Sequence, residues 1–217
     1  MNIKLAIFDF DGTLCDTRAP IVAAKQETMR SHGLPVLDEA ACASTIGYTA
    51  KEGFQRLFPG MEETVLESCV TTYRRLFEEM KQTTPPTLFP GVVETLEKLA
   101  ARGITCTIAT ARNQVSCHEM LEGLGIKQHF SYILCGESTK LLKPHPEAVL
   151  KTMADLGFAP EETLVIGDMP MDILMGKGAE AYACGVTYGN ADRETLLKNG
   201  ADVVIDTFAE LMELVEA

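Results

Sequence analysis

The apolar run Leu5-Ala6-Ile7-Phe8 breaks abruptly into Asp9-Phe10-Asp11-Gly12-Thr13. Asp9 and Asp11 are an even number of residues apart, so in an extended chain both can face one pocket while Phe10 turns toward packing. Taking a carboxylate out of water costs several kcal/mol unless a cation or hydrogen-bond donors meet it, so partners must come from elsewhere in the chain. Three segments offer them. "TCTIAT" ends in Thr110, followed by Ala111 and Arg112; "KLLKPHPEAV" sets Lys143 just before Pro144 and a helix start; "TLVIGD" ends in Gly167-Asp168, with Asp172 four residues on. In an open parallel sheet, ligands bind outside the carboxyl ends of the strands. Acid, hydroxyl, cation and acid would thus be delivered to one edge.

The elements that must do this positioning are visible in the periodicity. From about residue 86 onward, apolar strand-like runs at 103–110, 131–136, 163–168, 181–189 and 202–206 alternate with helical stretches. The helical stretches are "NQVSCHEMLEGLG", "HPEAVLKTMADLG", "ADRETLLKNG" and a terminal "TFAELMELVEA". Short apolar strands interleaved with amphipathic helices predict an α/β fold, a Rossmann-like parallel sheet covered on both faces. Residues 17–84 break the rhythm with helical segments only ("PIVAAKQETMRSHG", "TAKEGFQRLF", "EETVLESCVTTYRRLFEEM") and end at the proline-rich "TTPPT". The expected organisation is therefore a core domain of 1–16 and 85–217, with an all-helical insert of 17–84 placed as a lid over the carboxyl end of the first strand.

Composition narrows the function classes. A chain of 217 residues, 46% hydrophobic and 23% charged, can bury one main core and carry an insertion. The net charge of −12 disfavours nucleic acid and anionic membrane surfaces, which demand clustered Lys and Arg. A small anionic ligand remains compatible, because a local metal or lysine reverses the field within one pocket. Seven cysteines without a CxxC pair argue against disulfides and zinc and fit a reducing compartment. The amino terminus has no signal-peptide pattern and no run is apolar enough to span a bilayer, so a cytoplasmic protein is expected. Nothing here bears on oligomeric state.

Taken together and in order, "DFDGTL", "ATAR", "KPHPEAV" and "GDMPMD" resemble the four motifs of the haloacid dehalogenase superfamily, in its phosphatase branch. An Asp-Gly pair alone is usually a turn; four motifs in sequence, each at a strand end or helix start, carry far more weight. The insert resembles that family's cap domain. The closing "GVTYGNADRETLLKNGADVVID" is similar to the tail of its phosphoglycolate phosphatase-like members.

The resemblance implies Mg²⁺-dependent hydrolysis of a small phosphate monoester, a phosphorylated metabolite such as phosphoglycolate, through a phosphoaspartyl intermediate. Several carboxylates in one pocket cannot all stay ionised without a cation, and all-oxygen ligands select a hard ion such as Mg²⁺. By resemblance, Asp9, the backbone carbonyl of Asp11, and Asp168 would be metal ligands, with Asp172 orienting metal-bound waters. Asp9 would be the nucleophile and Asp11 the general acid and then base. Lys143, the Thr110 hydroxyl and backbone N–H groups around Ala111 would hold the phosphoryl group. Ala111 stands where many relatives carry a polar residue such as Asn, which leaves the backbone contact. Gly12 would let the chain turn and Thr13 would tie that turn down. His145, two residues past Lys143, is a further candidate. Lys51, Arg56 and Arg112 are candidates for substrate specificity, the first two in or beside the cap segment "STIGYTAKEGF". Pyrophosphate, a sugar phosphate, a nucleoside monophosphate or a phosphosugar mutase reaction would use the same chemistry. A phosphoaccepting signalling receiver is disfavoured by the insert, the length and the second acid two residues past the nucleophile.

Overall fold

The computed structural model describes residues 2–215. They divide into two compact units, one made of the chain up to Cys15 and from Leu88 onward, the other of Asp16–Thr87.

The strands are β1 (Leu5–Phe8), β2 (Cys15–Asp16), β3 (Thr87–Leu88), β4 (Thr105–Ala109), β5 (Tyr132–Leu134), β6 (Thr163–Gly167), β7 (Tyr182–Val186) and β8 (Val203–Ile205). Six of them form one sheet in the order β5-β4-β1-β6-β7-β8, and β2 pairs with β3 in a separate two-stranded ladder. Every pairing in the large sheet is parallel. Leu5 lies opposite Thr105 on one side and Thr163 on the other, and Phe8 opposite Ile108 and Ile166. All residues of β1 and β6 are buried, which is why both strands read as continuous apolar runs rather than as an alternation.

The second unit consists of α1 (Arg18–Ser31), α2 (Glu39–Ala43), α3 (Ala50–Leu57) and α4 (Glu63–Thr83) with their loops. Its centre is Phe54, Leu66 and Cys69, with Tyr73 edge-on to Phe54. Thr49 and Glu52 form a reciprocal capping box that starts α3. Lys25 is buried in this unit, its ammonium donating to the Cys42 carbonyl at 3.0 Å and to Thr45 Oγ1 at 2.5 Å.

In the first unit, α5 (Val92–Ala101), α6 (Gln114–Gly123), α7 (Glu147–Leu156), α8 (Pro170–Gly178), α9 (Arg193–Lys198) and α10 (Leu211–Val215) flank the sheet. The pleat sends Leu5 and Ile7 of β1 into a cluster with Val149 and Met153 of α7 and Met175 of α8. Phe8 points the other way, against the rings of Phe130 and Phe208 at 6.2 and 5.7 Å. Both faces are thus covered.

Element ends differ from the periodicity. Within "ADRETLLKNG" only six residues are helical, because the Asp192 side chain caps Thr195 N and the chain turns at Gly200 with φ +94°. "TFAELMELVEA" begins as a short 3₁₀ turn, Phe208–Glu210, before α10, and its last two residues lie outside the described ones. All seven cysteines are buried. Among the described residues, no helix is long and apolar enough to cross a membrane.

Candidate active site

Asp9 follows directly on β1, its N–H continuing the ladder to the Ile166 carbonyl at 2.9 Å, and it is 2% exposed. Its Oδ1 accepts from Lys143 Nζ at 2.6 Å, and the same ammonium donates to Asp172 Oδ1 at 2.6 Å. The other oxygen, Asp9 Oδ2, is buried and has no hydrogen-bond partner among the described residues. Lys143 reaches this point from the loop before α7. Glu147, the first residue of that helix, ties the loop down by accepting from the N–H groups of Lys140 and Leu141 at 3.0 and 2.9 Å. The Lys143–Pro144 peptide in the loop is cis. His145 is exposed, and its Nδ1 accepts from Glu147 N at 3.2 Å. It serves the start of α7.

Asp168 follows β6 and is fully buried. Its Oδ1 accepts from the Thr13 hydroxyl at 3.2 Å, and its Oδ2 from both the backbone N–H and the Nδ2 of Asn190 at 2.8 Å. Asp172 stands at the third position of α8, where its Oδ2 accepts from Met169 N at 3.1 Å and so caps the helix. Asp9, Asp168 and Asp172 each present an oxygen, and the three oxygens lie within 4.8 Å of one another. Such crowding leaves no room for extra carbon. A Cβ on Gly12, whose φ is +88°, would fall 2.2 Å from Asp168 Oδ2, and one on Gly167 would fall 2.2 Å from Asp172 Cβ.

Asp9 and Asp172 share one ammonium here, and Asp168 has only neutral donors among the described residues. Burial pushes Asp9 well above the ordinary carboxylate range; Lys143 opposes this, and Asp172, Asp168 and Asp11 reinforce it. Burial and then Asp172 push Asp168 up to about 7, against the pull of the Asn190 and Thr13 donors. Burial alone would lower Lys143, but Asp172 and Asp9 outweigh it and hold the ammonium above the usual lysine range. The pocket carries surplus negative charge on oxygen atoms alone. It suits a hard cation.

Thr110 follows β4. Its N–H donates to the Leu134 carbonyl at 3.0 Å, and its hydroxyl accepts from Arg112 N at 3.2 Å. Ala111 is buried between them. The Arg112 side chain is buried. Its guanidinium forks onto Asp11, with Nε donating to Oδ2 at 3.1 Å and Nη2 to Oδ1. Its Nη1 donates to Ser116 Oγ at 2.9 Å, and the group lies 5.5 Å from the centre of the Phe10 ring. The Asp11 carboxylate therefore binds Arg112 and stands outside the group formed by Asp9, Asp168 and Asp172. In the second unit, Lys51 pairs with Glu63, and the Arg56 guanidinium lies 3.9 Å over the Tyr48 ring.

The sequence reading missed Asn190, which holds Asp168 with two donors, and the direction of Thr13, whose hydroxyl reaches Asp168. It also missed the pairing of Arg112 with Asp11. A signal existed in "ATAR", since Thr110 and Arg112 are two apart and both leave the end of one strand.

The model of the family described as haloacid dehalogenase-like hydrolase matches residues 6–186. The chain belongs to that family. It is 36% identical to "Probable phosphatase IndB" of Dickeya dadantii, over 96% of this chain and 91% of that protein. It is 33% identical to the phosphoglycolate phosphatase of Agrobacterium fabrum, over 95% of this chain and 90% of that one. The crystal structure of a predicted phosphoglycolate phosphatase from Haemophilus somnus superposes with a TM-score of 0.86 at 26% identity, covering 99% of this chain and 98% of the other. This haloacid dehalogenase-like hydrolase is a phosphatase.

Proposed function

We propose that this phosphatase hydrolyses a small phosphate monoester of the phosphoglycolate type by transferring the phosphoryl group to Asp9, with Mg²⁺ held in the carboxylate cluster. The observation that carries the reading is Asp9 Oδ2. It is a buried carboxylate oxygen without a donor, on a side chain whose other oxygen is fixed by Lys143. A nucleophile needs a lone pair free of hydrogen bonds and a fixed direction. Relatives named for phosphoglycolate support the choice of ester.

The surplus negative charge of the cluster fits a divalent cation. Asp9, Asp168 and the backbone carbonyl of Asp11 would hold Mg²⁺, and Asp172, already engaged by Lys143 and Met169 N, would orient its waters. When bound, the ion supplies neutralisation of the carboxylates and of the phosphoryl oxygens. Asp9 Oδ2 forms a bond to phosphorus as the bond to the ester oxygen breaks, and Asp11, protonated and released from the Arg112 fork when substrate binds, gives its proton to the leaving alkoxide. In the second half, Asp11 takes a proton from the water that attacks the phosphoaspartyl group, which releases phosphate and restores Asp9. Lys143 and the Thr110 hydroxyl hold the transferred oxygens throughout.

The test is turnover of a panel of phosphorylated compounds by EDTA-treated enzyme, with and without added Mg²⁺. Phosphoglycolate is expected to exceed pyrophosphate, sugar phosphates and nucleoside monophosphates in kcat/KM, and turnover is expected to need the ion. Faster hydrolysis of pyrophosphate or a sugar phosphate would overturn the ester assignment, and full activity after exhaustive EDTA would overturn the metal. Acid-quenched enzyme should carry a phosphate mass on the peptide that contains Asp9, and Asp9→Asn should carry none.

A further inference from the structure

We infer that Arg112 reads a second anionic group on the substrate, a carboxylate that replaces Asp11 on the guanidinium fork and so frees Asp11 for the leaving oxygen; this rests on the ester and the role of Asp11 given above. Nε donates to one oxygen of Asp11 at 3.1 Å and Nη2 donates to the other. Such a side-on pair of parallel donors fits any carboxylate, whether it belongs to the chain or to a ligand. While the pair stands, Asp11 is held ionised and outside the group formed by Asp9, Asp168 and Asp172. In that state it has no proton to give.

The fork is held in place by contacts other than Asp11. Nη1 donates to Ser116 Oγ at 2.9 Å, and the Phe10 ring centre lies 5.5 Å from the guanidinium. The backbone is fixed as well: the Arg112 N–H donates to Thr110 Oγ1 at 3.2 Å, and its carbonyl accepts from Gly136 N at 2.9 Å. These ties preset the direction of Nε and Nη2, so an arriving carboxylate meets a seat already shaped by the one it displaces. The side chains of Arg112 and Asp11 are 7% and 10% exposed. Taking a carboxylate from a guanidinium this buried costs far more than exchanging it for another. A neutral substrate tail offers no such exchange.

The exchange also narrows the ester. The fork lies where the Asp11 carboxylate now sits, and Asp11 serves the leaving oxygen, so the substrate carboxylate and that oxygen must be near neighbours. A phosphate ester of an α-hydroxy acid has this form, with a single carbon between the ester oxygen and the carboxyl group. Sugar phosphates carry hydroxyl groups there instead. A purely structural Arg112–Asp11 pair would resist every ligand alike, and that difference can be measured.

The experiment uses two ligands that cannot be hydrolysed. Carboxyethylphosphonate is phosphoglycolate with a methylene in place of the ester oxygen, and hydroxypropylphosphonate has a hydroxymethyl group in place of the carboxylate. Calorimetry with Mg²⁺ gives both Kd values for the full chain as wild type, Arg112→Lys, Arg112→Gln, Asp11→Asn and the double Asp11→Asn/Arg112→Gln. Wild type should prefer the carboxylate, and Arg112→Gln should lose about tenfold or more of that preference. Arg112→Lys, which keeps the charge but not the fork, should lose part of it. Asp11→Asn removes the competing carboxylate, so it should bind carboxyethylphosphonate about threefold tighter or more and change less toward the alcohol; in the Arg112→Gln background that gain should vanish. Arg112→Lys and the double variant leave no unbalanced buried charge, so they report even where Arg112→Gln fails to fold. Asp11→Asn binding the carboxylate no tighter than wild type, or gaining equally with and without Arg112, would overturn the inference. If wild type prefers the carboxylate and the Arg112 variants keep that preference, the inference alone falls and the ester stands. If wild type shows no preference, the ester assignment falls first and the inference with it.

Discussion

Raising the pH of the metal-free protein from about 4 to about 7 is expected to weaken the fold through Asp168. In the folded chain, burial and then Asp172 push this carboxyl from 3.8 up to about 7, against the donors of Asn190 and Thr13. In the unfolded chain it returns to its ordinary value. Between those two values the folded state keeps a proton that the unfolded state has lost, so each step up in pH favours unfolding. The stability lost is about 1.4 kcal/mol per pH unit over a window of about three units, roughly 4 kcal/mol in all. That is a large part of the 5–15 kcal/mol (roughly) that holds a typical domain together. Asp9, raised by its own burial, acts in the same direction. The assay is urea unfolding of EDTA-treated wild type and Asp168→Asn across this range. The difference between the two curves isolates one group, because an amide does not titrate and most other slopes cancel. The wild-type advantage should shrink as pH rises through the window, and added Mg²⁺ should restore it at the alkaline end. A difference that stays flat or grows with pH would refute the argument.

Lys143→Met should destabilise the metal-free protein by about 3 kcal/mol at neutral pH, since it strips the shared ammonium from Asp9 and Asp172. Urea midpoints in EDTA measure this, and excess Mg²⁺ should narrow the gap. Gly12→Ala should lower stability by at least about 2 kcal/mol, because its Cβ meets Asp168 Oδ2 at a backbone angle that L side chains rarely adopt. Thermal unfolding reads that loss, and turnover of any ester should fall with it.

The fold class was legible because β1 and β6 must be apolar on both faces, a pattern that survives in four or five consecutive residues. Their neighbours in the sheet were not, since pairing Leu5 with both Thr105 and Thr163 is decided by packing across the whole domain. Two helices left no clear mark in the periodicity. α2 is only five residues long, and α5 lies in "VVETLEKLAA", between the linker and the first strand-like run of the core. In the site, Asp9, Lys143, Asp168 and Asp172 could be named because each stands at a strand end or helix start, where type and place together suggest chemistry. Asn190 could not, because "GNADRET" reads equally well as the beginning of a helix. The bond between Arg112 and Asp11 spans more than half the sheet's sequence length, and no local pattern records which of several carboxylates a guanidinium will choose.

The place of β1 between β4 and β6 has a consequence for how the chain is made. Leu5–Phe8 leaves the ribosome well before either neighbour, and at about 5–20 residues per second the wait for Thr163–Gly167 is roughly 8–30 s. The helices of Asp16–Thr87 find partners close in sequence during that interval. The most apolar strand of the sheet has none until Thr105–Ala109 arrives, about half-way along the chain, and its second neighbour comes later still. A nascent or truncated polypeptide that stops short of Thr163 would display "LAIF" with one edge open, a ready site for chaperones to hold or for other unfinished chains to join.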